Sequence, residues 1–194
     1  KKIALPDGST YSGSIVKGKP DGQGTIEISK SDAADVKGGQ SRTGRQDVAA
    51  AVKTYMKQWA YDGKPDGGDF IRKYSGTWKN GLPAVRGFFA WQKGDSYSGE
   101  FQQGKRSGTG TYTYAHGTKY NGRWREDMAN GRGSIVWVEG DRYEGTWVAD
   151  SREGHGVYLW ADGTKYEGQW SRDKINGKGS IVWANGNSYT GDWI

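Results

Sequence analysis

The chain has 194 residues and a net charge of +6, with 33 Gly, 10 Trp, 12 Tyr, 4 Phe and no Cys. Glycine at one residue in six, against ~7% in typical proteins, disfavours a helical bundle, and the many aromatics argue against disorder. No apolar run reaches the ~20 residues of a membrane span, no Gly-x-y period marks collagen, and disulfides and cysteine metal sites are excluded.

In chain order, the first element is Tyr11-Ser-Gly13-Ser-Ile15, followed by a Gly-x-Gly at Gly22/Gly24. Residues 29–42 are polar and glycine-containing and read as a loop. The period then changes. Val48, Val52, Tyr55, Met56 and Trp59 fall on one face of a helix. Thr43 and Gln46 fit a capping box and Gly63 a helix stop, which predicts a helix near residues 44–61. The run Tyr61 to Gly68 reads as an irregular return loop. Residues 29–70 thus form a loop-plus-helix insertion whose apolar side is expected to dock on the sheet or cover its N-terminal part.

From Tyr74 the first pattern returns in strict register. Tyr-x-Gly-x-Trp/Phe occurs at Tyr74–Trp78, Tyr97–Phe101, Tyr120–Trp124, Tyr143–Trp147, Tyr166–Trp170 and Tyr189–Trp193. These tyrosines are 23 residues apart, and Tyr11 precedes Tyr74 by one period plus 40 residues. Gly-x-Gly follows at Gly108/Gly110, Gly131/Gly133, Gly154/Gly156 and Gly177/Gly179, with a degenerate Val85/Gly87. Each repeat then closes with a pair ending in Gly: Asp7-Gly8, Lys93-Gly94, His116-Gly117, Glu139-Gly140, Asp162-Gly163 and Asn185-Gly186. Such pairs predict type I′ hairpins, in which both central residues take positive φ. Period two places Tyr, Gly and Trp on one face of each strand, with Glu100, Arg123, Thr146, Gln169 and Asp192 on the other. The glycines are expected to leave bare backbone for neighbouring rings to lie across.

Tyr-x-Gly-x-Trp, the later Gly-x-Gly and the 23-residue period resemble the MORN repeat family, over residues 1–28 and 71–194. Choline-binding cell-wall repeats share the richness in Trp, Tyr and Gly, but lack this regular Gly-x-Gly. The MORN resemblance implies a mainly β fold: an elongated, twisted antiparallel β-meander of about six hairpin units plus a terminal half repeat. The helical insertion near 44–61 interrupts it. Residues 1–194 are expected to form a single domain.

Catalytic patterns are not found. His116 and His155 occupy variable repeat slots and read as surface residues. No zinc spacing, nucleophile elbow or dinucleotide fingerprint occurs. The pairs Glu126/Asp127 and Glu139/Asp141 have no cleft to span for glycoside hydrolysis. The expectation is a chain that is not an enzyme and needs no cofactor or metal.

Three binding readings remain. The first is a scaffold or protein-interaction module able to self-associate, since an open meander has free edges. The second, which the resemblance implies, is peripheral binding to an anionic phospholipid surface, with contacts from Arg42, Arg45, Lys53, Lys57, Lys119, Arg123, Arg125, Arg132 and Arg142. A solvated mixed-charge face is the plain alternative, because 22 acidic residues are interspersed. The third is a peptide or carbohydrate held in an aromatic groove. The rings in question are Tyr74, Trp78, Tyr97, Phe101, Tyr120, Trp124, Trp137, Tyr143, Trp147, Trp160, Tyr166, Trp170, Trp183, Tyr189 and Trp193, whose first reading is structural. Nucleic acid is not expected, for want of a basic stripe. The chain starts at Lys1 without Met, which suggests a processed or excised product, cytoplasmic or of the cell envelope or secreted, without a transmembrane segment.

Overall fold

The computed structural model describes residues 2–4, 9–28 and 71–194. The expected helix near 44–61, the Asp7-Gly8 turn and the cations Arg42, Arg45, Lys53 and Lys57 lie outside the described residues. The chain divides into two compact units, Lys1–Lys105 and Arg106–Ile194.

In the first unit, β1 (Lys2–Ala4), β2 (Thr10–Val16), β3 (Lys19–Glu27), β4 (Ile71–Lys79), β5 (Leu82–Trp91) and β6 (Ser96–Gln102) each pair antiparallel with the next. The second unit holds β7 (Lys105–Thr113), β8 (Lys119–Arg125), β9 (Met128–Val136), β10 (Arg142–Val148), β11 (Ser151–Leu159), β12 (Lys165–Ser171), β13 (Lys174–Val182) and β14 (Ser188–Trp193), paired in the same way. Residues 29–70 intervene between two paired strands, yet Gly24↔Gly76 and Ile26↔Tyr74 keep the register of Gly110↔Gly122 and Tyr112↔Tyr120. The repeat therefore continues across the insertion.

The core unit is a Tyr ring laid along its own strand. Tyr143 covers Gly145 and the facing Gly156, and its hydroxyl donates to the Thr146 carbonyl at 3.2 Å. The same bond joins Tyr11 to Ser14, Tyr74 to Thr77, Tyr97 to Glu100, Tyr120 to Arg123, Tyr166 to Gln169 and Tyr189 to Asp192. Side chains have no room here. A Cβ built on Gly122 would stand 2.5 Å from both the Tyr120 hydroxyl oxygen and the Gly133 Cα. Burying such a ring removes ~150–250 Å² from water, roughly 4–6 kcal/mol of transfer free energy.

The Trp of each motif locks onto the preceding strand. The indole N–H of Trp78, Trp124, Trp147, Trp170 and Trp193 donates to the carbonyl of Gly24, Gly110, Gly133, Gly156 and Gly179 at 3.1–3.3 Å. Each Trp also stands edge-on to Tyr rings. Tyr120 lies 5.1 Å from Trp124 and 5.2 Å from Trp147, and Tyr143 lies 5.4 Å from Trp147 and 5.2 Å from Trp170, all near perpendicular. This is the favoured edge-to-face geometry, and it chains one repeat to the next.

The two glycines of Gly-x-Gly have different jobs. Only the second lies under the Tyr ring, as at Gly133 and Gly156. The first, at positive φ, sits in a β-bulge, as at Gly131 (φ 102°) and Gly177 (φ 72°). Exposed Val85 takes this strained place in the degenerate repeat (φ 59°).

The turns also correct the sequence expectation. The pairs Lys93-Gly94, His116-Gly117, Glu139-Gly140, Asp162-Gly163 and Asn185-Gly186 are not type I′, because only the glycine has positive φ. They close three-residue loops instead. Gly140 N–H donates to the Trp137 carbonyl and Trp137 N–H to the Asp141 carbonyl, both at 3.0 Å, the pattern of a type I turn with a glycine bulge. Two consecutive positive φ values occur at the other connection: Lys17-Gly18, Asn80-Gly81, Gln103-Gly104, Glu126-Asp127, Ala149-Asp150 and Arg172-Asp173.

Candidate functional site

The aromatic side of the repeats is mostly core. Tyr74, Trp78, Tyr97, Phe101, Tyr120, Trp124, Tyr143, Trp147, Tyr166 and Trp170 are buried, so they line no open groove. Trp137, Trp160 and Trp193 are half-buried. Trp183 and Tyr189 are 40% and 45% exposed. Tyr158 lies tilted against Trp137 and Trp160, with ring centres 5.4 and 4.5 Å away. Its hydroxyl donates to Asp141 Oδ2 at 2.6 Å, and burial, then the Asp141 carboxylate, push its pKa well above the ordinary phenol value. Asp141 Oδ1 also accepts the Ala161 N–H at 2.9 Å, so this carboxylate is a loop brace.

Two arginines that sequence reasoning missed complete the aromatic face. The Arg106 guanidinium lies 4.4 Å from the Trp124 ring centre and that of Arg152 lies 4.4 Å from Trp170. Arg106 Nε pairs with Asp127 Oδ1 at 3.2 Å and Arg152 Nε with Asp173 Oδ1 at 3.0 Å. A second guanidinium nitrogen of each donates to the backbone carbonyl of the same aspartate. Their side chains are only 11% and 18% exposed. The sequence signal was available: Asp127, Asp150 and Asp173 recur at the repeat period, as do Arg106, Ala129 and Arg152.

The opposite face is polar and differs from repeat to repeat. Gln23–Thr77, Thr25–Ser75 and Ser180–Thr190 are side-chain hydrogen bonds of 2.8 Å, and Lys73–Glu27 is an ion pair of 2.8 Å. All five described cations from the sequence reading, Lys119, Arg123, Arg125, Arg132 and Arg142, are exposed in the second unit. Strand alternation puts them on this face, since Tyr120, Trp124, Gly133 and Tyr143 next to them serve the aromatic side. Lys119 and Arg142 both stand opposite Val136, Arg142 and Lys165 opposite Leu159, and Lys165 opposite Val182. This makes a row in which cations alternate with exposed aliphatics.

His116 Nε2 shares a hydrogen bond of 2.8 Å with Thr118 Oγ1 in a loop, and His155 is exposed opposite Gln169. Glu126 and Asp127 are the two central residues of a turn. No group of three or more His, Asp or Glu able to hold a metal occurs among the described residues. Among those residues, too, no helix is long and apolar enough to cross a membrane.

Solved structures that align with the chain include the TCP domain of Drosophila melanogaster SAS-4 (dCPAP) in complex with a proline-rich motif of Ana2 (dSTIL). Identity is 11%, covering 98% of this chain and 88% of that one, with a TM-score of 0.40. The TCP10 domain of Danio rerio CPAP in complex with a STIL peptide aligns at 12% identity over 98% and 72%, with a TM-score of 0.30. At such scores the likeness carries no functional argument. No curated protein matches the sequence. The MORN repeat model matches residues 11–32, 74–96, 97–119, 120–142, 143–165 and 166–188, well over half of the sequence, and the chain belongs to the MORN repeat family.

Proposed function

We propose that the chain is a non-catalytic MORN-repeat scaffold or protein-interaction module, able to self-associate. The observation that carries this reading is the separation of the two faces. Tyr, Gly and Trp close the core on one side, while the other side holds polar side chains that vary between repeats. Variation there leaves the core rings in place, which suits a recognition surface. Sedimentation equilibrium at rising concentration is expected to show species heavier than the monomer. Monomer throughout, with no partner captured by cross-linking, counts against the reading.

A second reading is peripheral binding to anionic phospholipid. It is favoured by the row of Lys119, Arg142 and Lys165 interleaved with exposed Val136, Leu159 and Val182. Cations over headgroups with aliphatics between them suit an interface. Lys165 is partly committed to Glu167 at 2.8 Å. Flotation with phosphatidylserine vesicles is expected to weaken in a Lys119, Arg142, Lys165 triple glutamine variant. Flotation independent of anionic lipid rejects this reading.

A further inference from the structure

One slot in the repeat carries a donor where every other copy carries an acceptor. Three residues after each motif Tyr come Ser14, Thr77, Glu100, Arg123, Thr146, Gln169 and Asp192. Six of these side chains end in an oxygen, and Arg123 is the exception. The slot lies over the bulge glycine: Ser14 stands above Gly22, Arg123 above Gly131, Thr146 above Gly154 and Gln169 above Gly177. Where the side chain is long enough, its use is visible. Gln169 Oε1 accepts the N–H of Lys178, the residue after the bulge glycine, at 2.9 Å.

In the repeat starting at Tyr120, the residue after the bulge glycine is Arg132, and the side chain above the glycine is Arg123. A Cβ on Gly131 would stand 3.1 Å from Arg123 Cδ, so the stem covers the bulge and the guanidinium extends beyond it. A guanidinium has five donors and no acceptor. Arg132 is exposed on the same face, as is Arg125, two residues beyond Arg123. None of the three is ion-paired among the described residues. The flanking cross-strand neighbours are Thr109 and Thr146; Glu144 is a row away opposite Ser134, Glu153 is beyond Thr146, and Glu126 follows Arg125 in the turn.

We propose that the Arg123–Arg132 bulge is a docking point for the carboxylate side chains of an acidic peptide partner. Three of the acceptors that this chain itself places in the slot are planar and sp², the Gln169 carboxamide and the Glu100 and Asp192 carboxylates. A partner's Glu or Asp supplies the same group, and it matches the guanidinium fork in bidentate fashion. Arg123 and Arg125 repeat at the i, i+2 spacing of an extended strand, so an extended peptide with alternate acids meets both. The inference rests on the interaction-module reading and names the chemistry of the partner.

The test is fluorescence anisotropy of labelled hexaglutamate with the whole chain. Arg123→Gln puts the oxygen of the Gln169 repeat back into the slot. It should leave the melting temperature unchanged or higher and weaken binding by about tenfold or more. Arg132→Gln should weaken it likewise, while Lys178→Gln should not. The Arg132 amide resonance should shift on titration with the peptide. Absence of hexaglutamate binding overturns the proposal, as does binding that ignores both variants. So does Arg123-dependent capture of inorganic phosphate or phosphatidylserine vesicles without capture of the peptide. If self-association persists through any of these failures, the module reading stands without this site.

Discussion

The two units solve one structural problem with different residues. At five of the two-residue turns, the N–H of the second turn residue reaches back to a carbonyl of the preceding repeat. In the first unit, Gly81 donates to Pro20 and Gly104 to Pro83, at 2.8 and 3.0 Å. In the second, Asp127 donates to Arg106, Asp150 to Ala129 and Asp173 to Arg152, at 3.1–3.2 Å. The side chains follow from the partner. Proline has no N–H to satisfy, so glycine suffices. Arg106, Ala129 and Arg152 do have one, and the aspartate Oδ1 accepts it at 2.6–2.9 Å. Buried Pro20 and Pro83 hold the repeat position that Arg106 and Arg152, stacked on Trp124 and Trp170, hold in the other unit. A repeat can thus exchange a neutral staple for an ionic one without changing its frame. Even the next donor is treated alike: Asn80 N–H meets Asp21 Oδ2 and Arg172 N–H meets Glu153 Oε1.

What both units share should break both equally, and with the largest effect. Gly87→Ala in the first unit and Gly156→Ala in the second each push a methyl into a buried Tyr ring, Tyr74 or Tyr143. Each is expected to cost about 3 kcal/mol or more. Urea denaturation checks this, and a tolerated substitution in either unit shows that the ring there can move.

The tyrosines make alkaline pH the next probe. Burial raises the phenol of Tyr11 in the first unit and Tyr143 in the second to about 12. In the unfolded chain it titrates near 10. Between these values the folded state holds more protons than the unfolded state, so stability falls as pH rises. The contribution is complete below about pH 10 and is lost towards pH 12. Denaturant midpoints at pH 9 and pH 11 should fall in parallel with the appearance of tyrosinate absorbance. Stability constant over that range contradicts the buried neutral rings.

The first effect that separates the units is Arg152→Ala. It removes the stack on Trp170, the ion pair with Asp173 and the bond to the Asp173 carbonyl. Allowing for the half-exposed aspartate, the expected loss is about 2 kcal/mol, and salt should weaken the wild type more than the variant. Thermal melts in low and high salt decide it. A loss below ~0.5 kcal/mol would show that the arginine only covers the ring.

Much of this frame is legible in the sequence, for a physical reason. Tyr, Gly and Trp are fixed by contacts inside one hairpin and its neighbour, so each copy repeats them and the period exposes them. The turns behave differently. Glu126-Asp127, Ala149-Asp150 and Arg172-Asp173 contain no glycine, and nothing local announces their positive φ. A bond to a residue 21 positions back holds them there, and propensity cannot see such a bond. The glycine pairs that look like type I′ turns sit instead in wider loops, where one extra residue relaxes the demand on the first position. Among the candidate site residues, alternation places the cations on the polar face. Whether an individual ring is core or surface depends on rings outside its own motif: Tyr166 has Trp193 of the next motif beside it as well as its own Trp170 and is buried, while Tyr189 has its own Trp193 and is exposed.

The smallest effects should be the most informative about the staple. Asp150→Gly and Asp173→Gly both remove a carboxylate acceptor, and both relieve an aspartate held at a φ of 67°. At Asp150 the acceptor serves only the Ala129 N–H, at 2.6 Å. The lost bond, worth about 1 kcal/mol, is then nearly offset by the relief of left-handed strain, about 1 kcal/mol. The net change should be within ~0.5 kcal/mol. At Asp173 the same substitution also strands Arg152, whose Nε loses its partner over Trp170, and the net loss should be nearer 1–1.5 kcal/mol. The reverse change, Gly104→Asp, brings strain without reward, because Pro83 offers no N–H to its carboxylate. Adding Pro83→Arg to it supplies the donor and the cation together. A double-mutant cycle should then give a favourable coupling of about 0.5–1 kcal/mol. Strict additivity would mean that the aspartate and the arginine act separately, and that their pairing in the second unit is not what holds its turns.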